Sequence, residues 1–493
     1  MSKELMRENI EKARKWAEER KDSVKRGKMR QNYHFMPQTG WMNDPNGLIY
    51  FKGKYHFFYQ HHPYEGFWGY MHWGHAVSED LIHWEYLPPA LAPSESYDNH
   101  PRGGCFSGSA IEYDDKLFLV YTGAGNTGKG VEQTQCVAYS EDGIHFKKYE
   151  GNPVLRAPAG VPNDFFRDPK VWQHEGSFYM VCGAQKEGMG QALLYQSEDM
   201  FHWEFVNVLA ESCGEWGYMW ECPDFFPLED KYVLMFSPMG VEKRTSVYLA
   251  GDFDYRTGKF YADVSGEIDW GMDYYAPQSF LSPEGRRIVT AWANEWEWMP
   301  FWKDWGPTYQ EGWCGFFNLP REITFCEDGK LAFRPIRELE YLREDKNCER
   351  EAEIKEGEEK FLKEGNVFEI KFKIDLKKTT AQKMHLRLRV SEGKETIVTF
   401  DLKKGEILFD RNRGDGWSHG MVKSPLKLVH KSELDVHIYS DKISVELFSD
   451  KYRNNISCNV YHTAEGQKNY MSAEGGCVVV KDLESWDLKK VCE

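Results

Sequence analysis

An internal repeat constrains this chain more than any other feature. Residues 77–87 ("VSEDLIHWEYL"), 139–149 ("YSEDGIHFKKY") and 196–206 ("QSEDMFHWEFV") share Ser-Glu-Asp, two residues, His and then an aromatic. Each follows a strand-like run: "KYHFFYQHH" (54–62), "KLFLVYTG" (116–123) and "SFYMVCG" (177–183). A fourth copy is degenerate, "KYVLMFSP" (231–238) followed by "YLAGDFDYRTGKF" (248–260). A fifth is fainter, "RRIVTAWAN" (286–294). A repeat of roughly 50 to 60 residues, worth about four short strands, cannot bury both faces of its sheet alone, and stacking in a ring solves that. Five copies predict an all-β, five-bladed β-propeller over residues 31–340. In this reading His83, His145 and His202 serve packing between blades.

The flanks differ. Leu5, Met6, Ile10, Ala13, Trp16 and Ala17 recur mostly at three- and four-residue steps, which predicts one short helix in an N-terminal extension, 1–30, docked on the outside. After residue 360, "VFEIKFKIDL" (367–376), "MHLRLRV" (384–390) and "LDVHIYSDKISVELF" (434–448) alternate apolar and polar with period two, as half-buried antiparallel strands do. A C-terminal β-sandwich over 361–493 is expected. The charged stretch "REDKNCEREAEIKEGEEK" (343–360) reads as a linker, 341–360.

Sixty-two basic and 78 acidic side chains leave a net charge of −16. That field repels polyanions, so nucleic acid is a poor partner, and a phosphorylated substrate needs a local Lys or Arg. The 11 cysteines are irregularly spaced with no C-x-x-C pair, which suggests neither a disulfide framework nor a zinc site. His61-His62 lacks a third ligand at suitable spacing, so no metal and no cofactor are expected. The N-terminus has no apolar h-region and no segment approaches 18 apolar residues, so the expected location is the cytoplasm, off the membrane. The sequon at Asn455 is then a chance match.

The chemistry concentrates where the repeats begin. Counting back about ten or eleven residues from the second strand of each repeat reaches Asp44, Ser107, Asp168, Glu221 and Tyr275. In a propeller the first strand lines the central channel, so these five places form a ring at one mouth of the axis. Three are carboxylates, each followed closely by proline. Converging acids repel one another, so at least one should titrate high, a cost usually tolerated for function. Strand-capping turn acids or a calcium site are the competing readings; no D-x-D-x-D-G loop supplies the extra oxygens for calcium. Paired carboxylates among aromatics fit glycoside hydrolysis, which needs one acid to protonate the leaving oxygen and one carboxylate to meet an oxocarbenium-like carbon. Glu221, with the longer reach, is expected as acid/base and Asp44, beside Asn43, as nucleophile. Asp168 would hold sugar hydroxyls, with Arg167 keeping it charged.

The motifs "WMNDPNG" (41–47), "FRDPK" (166–170) and "ECPD" (221–224) resemble the three signatures of glycoside hydrolase family 32, the invertases and β-fructofuranosidases. "FYQHHP" (58–63), "MHWGHA" (71–76), "FSGSA" (106–110) and "LPRE" (319–322) also match. The resemblance implies a five-bladed propeller with a C-terminal sandwich. It also implies a retaining mechanism through a covalent fructosyl-enzyme, with Asp44 as nucleophile, Glu221 as acid/base and Asp168 as transition-state stabiliser. Carried over residue by residue, it assigns substrate contacts to Trp41, Asn43, Gln60, Trp68, Phe106, Ser107, Arg167 and Trp292. The helical extension looks like that of bacterial intracellular sucrose-6-phosphate hydrolases, with Arg102 and Lys303 as candidates for a 6-phosphate. The expected partner is a small sugar: sucrose, sucrose-6-phosphate or a short fructo-oligosaccharide. The sandwich offers surface for a homodimer. The Trp-rich insertion 294–313 is expected to wall the funnel and favour exo-attack. Fructosyl transfer and a non-catalytic sugar-binding propeller are the alternatives.

Overall fold

The computed structural model describes residues 2–126, 130–242, 244–300 and 303–491. The chain is all-β apart from a few short helical elements and one long N-terminal helix, Ser2–Lys25. That helix turns its apolar stripe inward: Met6 and Ile10 pack with Phe58 and Leu91, and Trp16 meets Tyr64 edge-on at 5.6 Å.

Five antiparallel sheets follow, each running in chain order from a first strand outwards. The first strands are Gly40–Phe51, Gly104–Tyr113, Phe166–His174, Met219–Leu228 and Tyr275–Leu281. These five touch in cyclic order, and the last lies back against the first, so the sheets close a ring. Closure is sealed by backbone pairing: Trp313–Cys314, from the insertion within the fifth sheet, adds in parallel to Gly40–Trp41. Between sheets lie apolar layers such as Phe178, Met180 and Val120, because a sheet with two apolar faces must be covered on both.

The repeated histidines are not packed between sheets. The side chains of His83, His145 and His202 are 66%, 83% and 85% exposed. Each Nδ1 bonds the repeat aspartate, Asp80, Asp142 or Asp199, at 2.7 Å, while the other carboxylate oxygen accepts two backbone N–H groups. The motif therefore encodes an Asp-centred turn between the third and fourth strands.

Two six-stranded sheets complete the chain, and their apolar faces share one core that includes Ile370, Leu386, Val398, Ile438 and Val480. Residues 343–360 are not a linker. Arg343–Ile354 is an edge strand paired with Val478–Leu488, and Glu359–Glu364 pairs with Lys468–Glu474. Their charge belongs to that edge position, where exposed ionic side chains discourage edge-to-edge association; Lys346 pairs with Glu484 and Lys360 with Glu349.

A buried ionic seam joins the ring to the last two sheets. Arg321 binds Asp269 at 2.8 Å and Glu446 at 2.7 Å, and His34 spans Asp441 at 2.8 Å and Glu446 at 3.0 Å. Burial opposes a charge on His34, but its bonds to the two carboxylates win and raise its pKa to about 9. Nearby, Arg411 binds Asp273 at 2.7 Å and lies over the Trp298 ring.

Candidate active site

Each first strand carries a register shift near its opening: between Met42 and Pro45, Phe106 and Gly108, Arg167 and Lys170, Glu221 and Asp224, and Tyr275 and Gln278. These bulges correct the equivalence expected from counting back. Ser107 and Asp168 share one bulge place with Cys222 and Ala276, whereas Glu221 and Tyr275 stand one residue earlier and Asp44 one later. Counting from a hairpin is blind to a bulge's extra residues, and the first strand has a second shift, between Asn46 and Ile49. Asp168, Cys222 and Ala276 all hold left-handed backbone, φ 64°, 49° and 54°, which re-aims successive side chains toward the axis.

Asp44, Asp168 and Glu221 line a single cavity of about 840 Å³. Asn43, Gln60, Trp68, Phe106, Ser107 and Arg167 line it too, as does Arg102. Trp41, Trp292 and Lys303 are absent from its wall. Trp41 acts from behind, donating from Nε1 to Asn43 Oδ1 at 2.7 Å. Trp292 is fully buried and packs on Trp41 and Trp296, so the ring that the insertion presents to the cavity is Trp296. His61 and His62 bond the Trp41 and Phe67 carbonyls through Nδ1.

The three acids differ in what holds them. Asp44 accepts from Ser107 Oγ at 2.6 Å, and its other oxygen, Oδ1, has no partner. Burial and the Glu221 charge raise its pKa to about 6, against the pull of the Ser107 bond. Asp168 accepts from the Cys222 backbone N–H at 2.9 Å. Burial pushes its pKa up to about 7; Arg167 opposes this, and the Glu221 and Asp44 charges add to it. Arg167 is thus not Asp168's main partner. It lies 3.9 Å from Asp168 but 2.8 Å from Glu221 Oε1, where Nε adds a second bond at 3.1 Å. Tyr275 donates its hydroxyl to Glu221 Oε2.

Two of these neighbours escaped the sequence reading as functional residues. The spacing puts Tyr275 in the ring but gives it no role. Cys222 points its thiol between Asp44 Oδ2, at 3.5 Å, and Asp168 Oδ2, at 3.6 Å; its only sequence signal is adjacency to Glu221.

Chemically, the cavity offers a carboxylate held by one hydroxyl, a second carboxylate gripped by an arginine and a phenol, and a third that titrates near neutrality. Comparison with known proteins agrees with that chemistry. Residues 34–335 match the description "Glycosyl hydrolases family 32 N-terminal domain" and 338–487 match "Glycosyl hydrolases family 32 C terminal". A sucrose-6-phosphate hydrolase of Zymomonas mobilis is 37% identical over 487 residues, covering 93% of this chain and 92% of its own. A raffinose invertase of Escherichia coli is 38% identical over 473 residues, covering 92% and 94%. Among solved structures, a Bombyx mori β-fructofuranosidase in complex with sucrose superposes with a TM-score of 0.83 at 33% identity over 98% of both chains. No helix among the described residues is long and apolar enough to cross a membrane. With both family domains matched and the three acids of its signatures gathered in one cavity, the chain belongs to glycoside hydrolase family 32 and is a glycoside hydrolase.

Proposed function

We propose that this enzyme is a retaining, exo-acting β-fructofuranosidase. Its substrate would be sucrose, sucrose-6-phosphate or a short fructo-oligosaccharide. The closed ring of five sheets is read as a five-bladed propeller and the two six-stranded sheets as a β-sandwich. The observation that carries the reading is that Asp44 and Glu221 line one cavity and are held there by different partners.

In the first step Asp44 attacks the anomeric carbon of the terminal fructosyl unit. Glu221 enters this step in its protonated form, and the bond to the leaving sugar breaks as that proton passes to the departing oxygen. In the second step Glu221 takes a proton from water, the water oxygen displaces Asp44, and both carboxyl groups return to their starting state. Ser107 holds the attacking carboxylate, and Arg167 and Tyr275 fix the rotamer of Glu221. Asp168, as its carboxylate, would accept from sugar hydroxyls and strengthen those bonds as positive charge develops. The Trp296 wall supports attack at a chain end. Arg102 is the cation at this cavity available to a phosphate on the leaving sugar.

Glu221→Gln keeps the shape and removes the proton. Loss of sucrose hydrolysis by about 10²–10⁴-fold with an unchanged melting temperature is expected. Full activity in that variant would overturn the assignment, and sugar binding without turnover in the wild type would favour a lectin.

A further inference from the structure

Trp68 and Arg102 belong to two cavities at once. On one side they line the catalytic cavity, and on the other they line a separate groove of about 690 Å³ with Phe67, Tyr70, Asn99 and His62. Resting on the fructofuranosidase reading, we propose that this groove binds the second sugar unit of a leaving group. The enzyme would then have a distal subsite for substrates whose departing portion is a disaccharide.

Three observations carry this. First, Trp68 and Arg102 line both spaces, so the groove adjoins the catalytic cavity on the side of those two residues, and a substrate that extends past them meets it. Second, the lining matches a saccharide. Phe67, Trp68 and Tyr70 are half-buried rings that offer apolar surface to the C–H faces of a sugar. Asn99 and the Arg102 guanidinium, both exposed, offer hydrogen bonds to its hydroxyls. Third, the groove is preorganised. Tyr70 donates its hydroxyl to Asn99 Oδ1 at 2.7 Å, tying one wall to the other. Met71 N donates to the Gly103 carbonyl at 3.0 Å and Cys105 N to the Met71 carbonyl at 2.9 Å. The loop bearing Asn99 and Arg102 is pinned beneath by Asp98, which accepts from Ser94 N at 2.9 Å and from the buried Lys148 Nζ at 2.6 Å. Walls fixed before binding spare the cost of ordering them.

Phe67 and Tyr70 do not line the catalytic cavity, so their removal separates the groove from the chemistry. The test compares kcat/KM on sucrose, raffinose and 1-kestose for the wild type, Tyr70→Ala, Phe67→Leu and Tyr70→Phe. Raffinose and 1-kestose extend the leaving group through different linkages, and the one that reaches the groove is the one that responds. For at least one of them, Tyr70→Ala and Phe67→Leu should lower kcat/KM by about fivefold or more while sucrose stays within about twofold. Tyr70→Phe, which keeps the ring, should restore most of the loss. Either substitution suffices should the other fail to fold. Equal losses on sucrose and both trisaccharides, or no loss on any, would overturn the subsite and leave the fructofuranosidase reading standing. A wild type that turns over none of the three sugars would remove both.

Discussion

Tyr275, from the fifth sheet, donates its hydroxyl to Glu221 Oε2, while Arg167, from the third, binds Glu221 Oε1 at 2.8 Å. Glu221, the proposed acid/base, is therefore gripped at both oxygens by residues from sheets on either side of its own. Burial and the Glu221 charge raise the Tyr275 phenol pKa well above its ordinary value, so it stays a donor throughout the working range.

Tyr275→Phe removes one of those two grips and nothing else. A hydrogen bond to a charged group contributes roughly 1.5–3 kcal/mol, so kcat should fall about ten- to a hundredfold, with KM changed far less. Kinetics on sucrose check this, and an unaltered kcat would show that Arg167 alone orients Glu221.

The pH profile follows from Asp44. As the proposed nucleophile Asp44 must be ionised, and its pKa is raised to about 6, so kcat/KM should rise with pH through that region. Ser107 favours the ionised form by donating to Oδ2. Ser107→Ala should therefore move the acidic limb to higher pH, as a pH–rate series on both proteins would reveal. A limb that stays in place would remove Asp44 as its origin.

The same burial makes these acids destabilising. A carboxyl raised from 3.8 to about 6 weakens the fold as pH climbs through that interval, because the unfolded chain ionises first. At neutral pH the penalty is of order 3 kcal/mol, from 1.36 kcal/mol per pKa unit. Asp44→Asn should abolish turnover yet raise the melting temperature at pH 7.5 by a few degrees, with the gain shrinking toward pH 4. Calorimetry across that range decides it; a variant less stable at every pH would refute the electrostatic cost.

His34 runs the other way. Its folded pKa, about 9, exceeds the ordinary 6.5, so its stabilising effect is complete below pH 6.5 and lost as pH rises through 9. Because it joins Asp441 and Glu446 at the seam, thermal stability should decline between pH 7 and 9.5. His34→Gln should be less stable at pH 6 and should flatten that decline.

Much of this was legible in the chain because the repeat fixes a spacing and the three acids carry motifs. What escaped depends on local geometry that spacing cannot encode. The bulges after Met42, Phe106, Arg167, Glu221 and Tyr275 shift the side chains, so Glu221 and Tyr275 share one level of the ring and Asp168 and Cys222 another. Arg167 follows that shift: adjacent to Asp168 in sequence, it reaches the carboxylate of the next sheet. Residues 343–360 read as a linker because exposed edge strands and a solvated loop have the same composition. The histidines of the repeat read as packing because a turn clamp needs only the Asp-x-x-His step, which looks the same whether the ring is buried or exposed. Trp292 and Trp296 differ by four positions, and only the insertion's path shows which one reaches the cavity.

The central claim is that Asp44 becomes bonded to the fructosyl carbon. Glu221→Gln, mixed with a fructosyl donor whose leaving group needs no protonation and then acid-quenched and proteolysed, should yield the Asp44 peptide one fructosyl residue heavier by mass spectrometry. The Asp168 peptide should be unmodified. A label on Asp168, or turnover with inversion and no adduct on any peptide, would contradict the account.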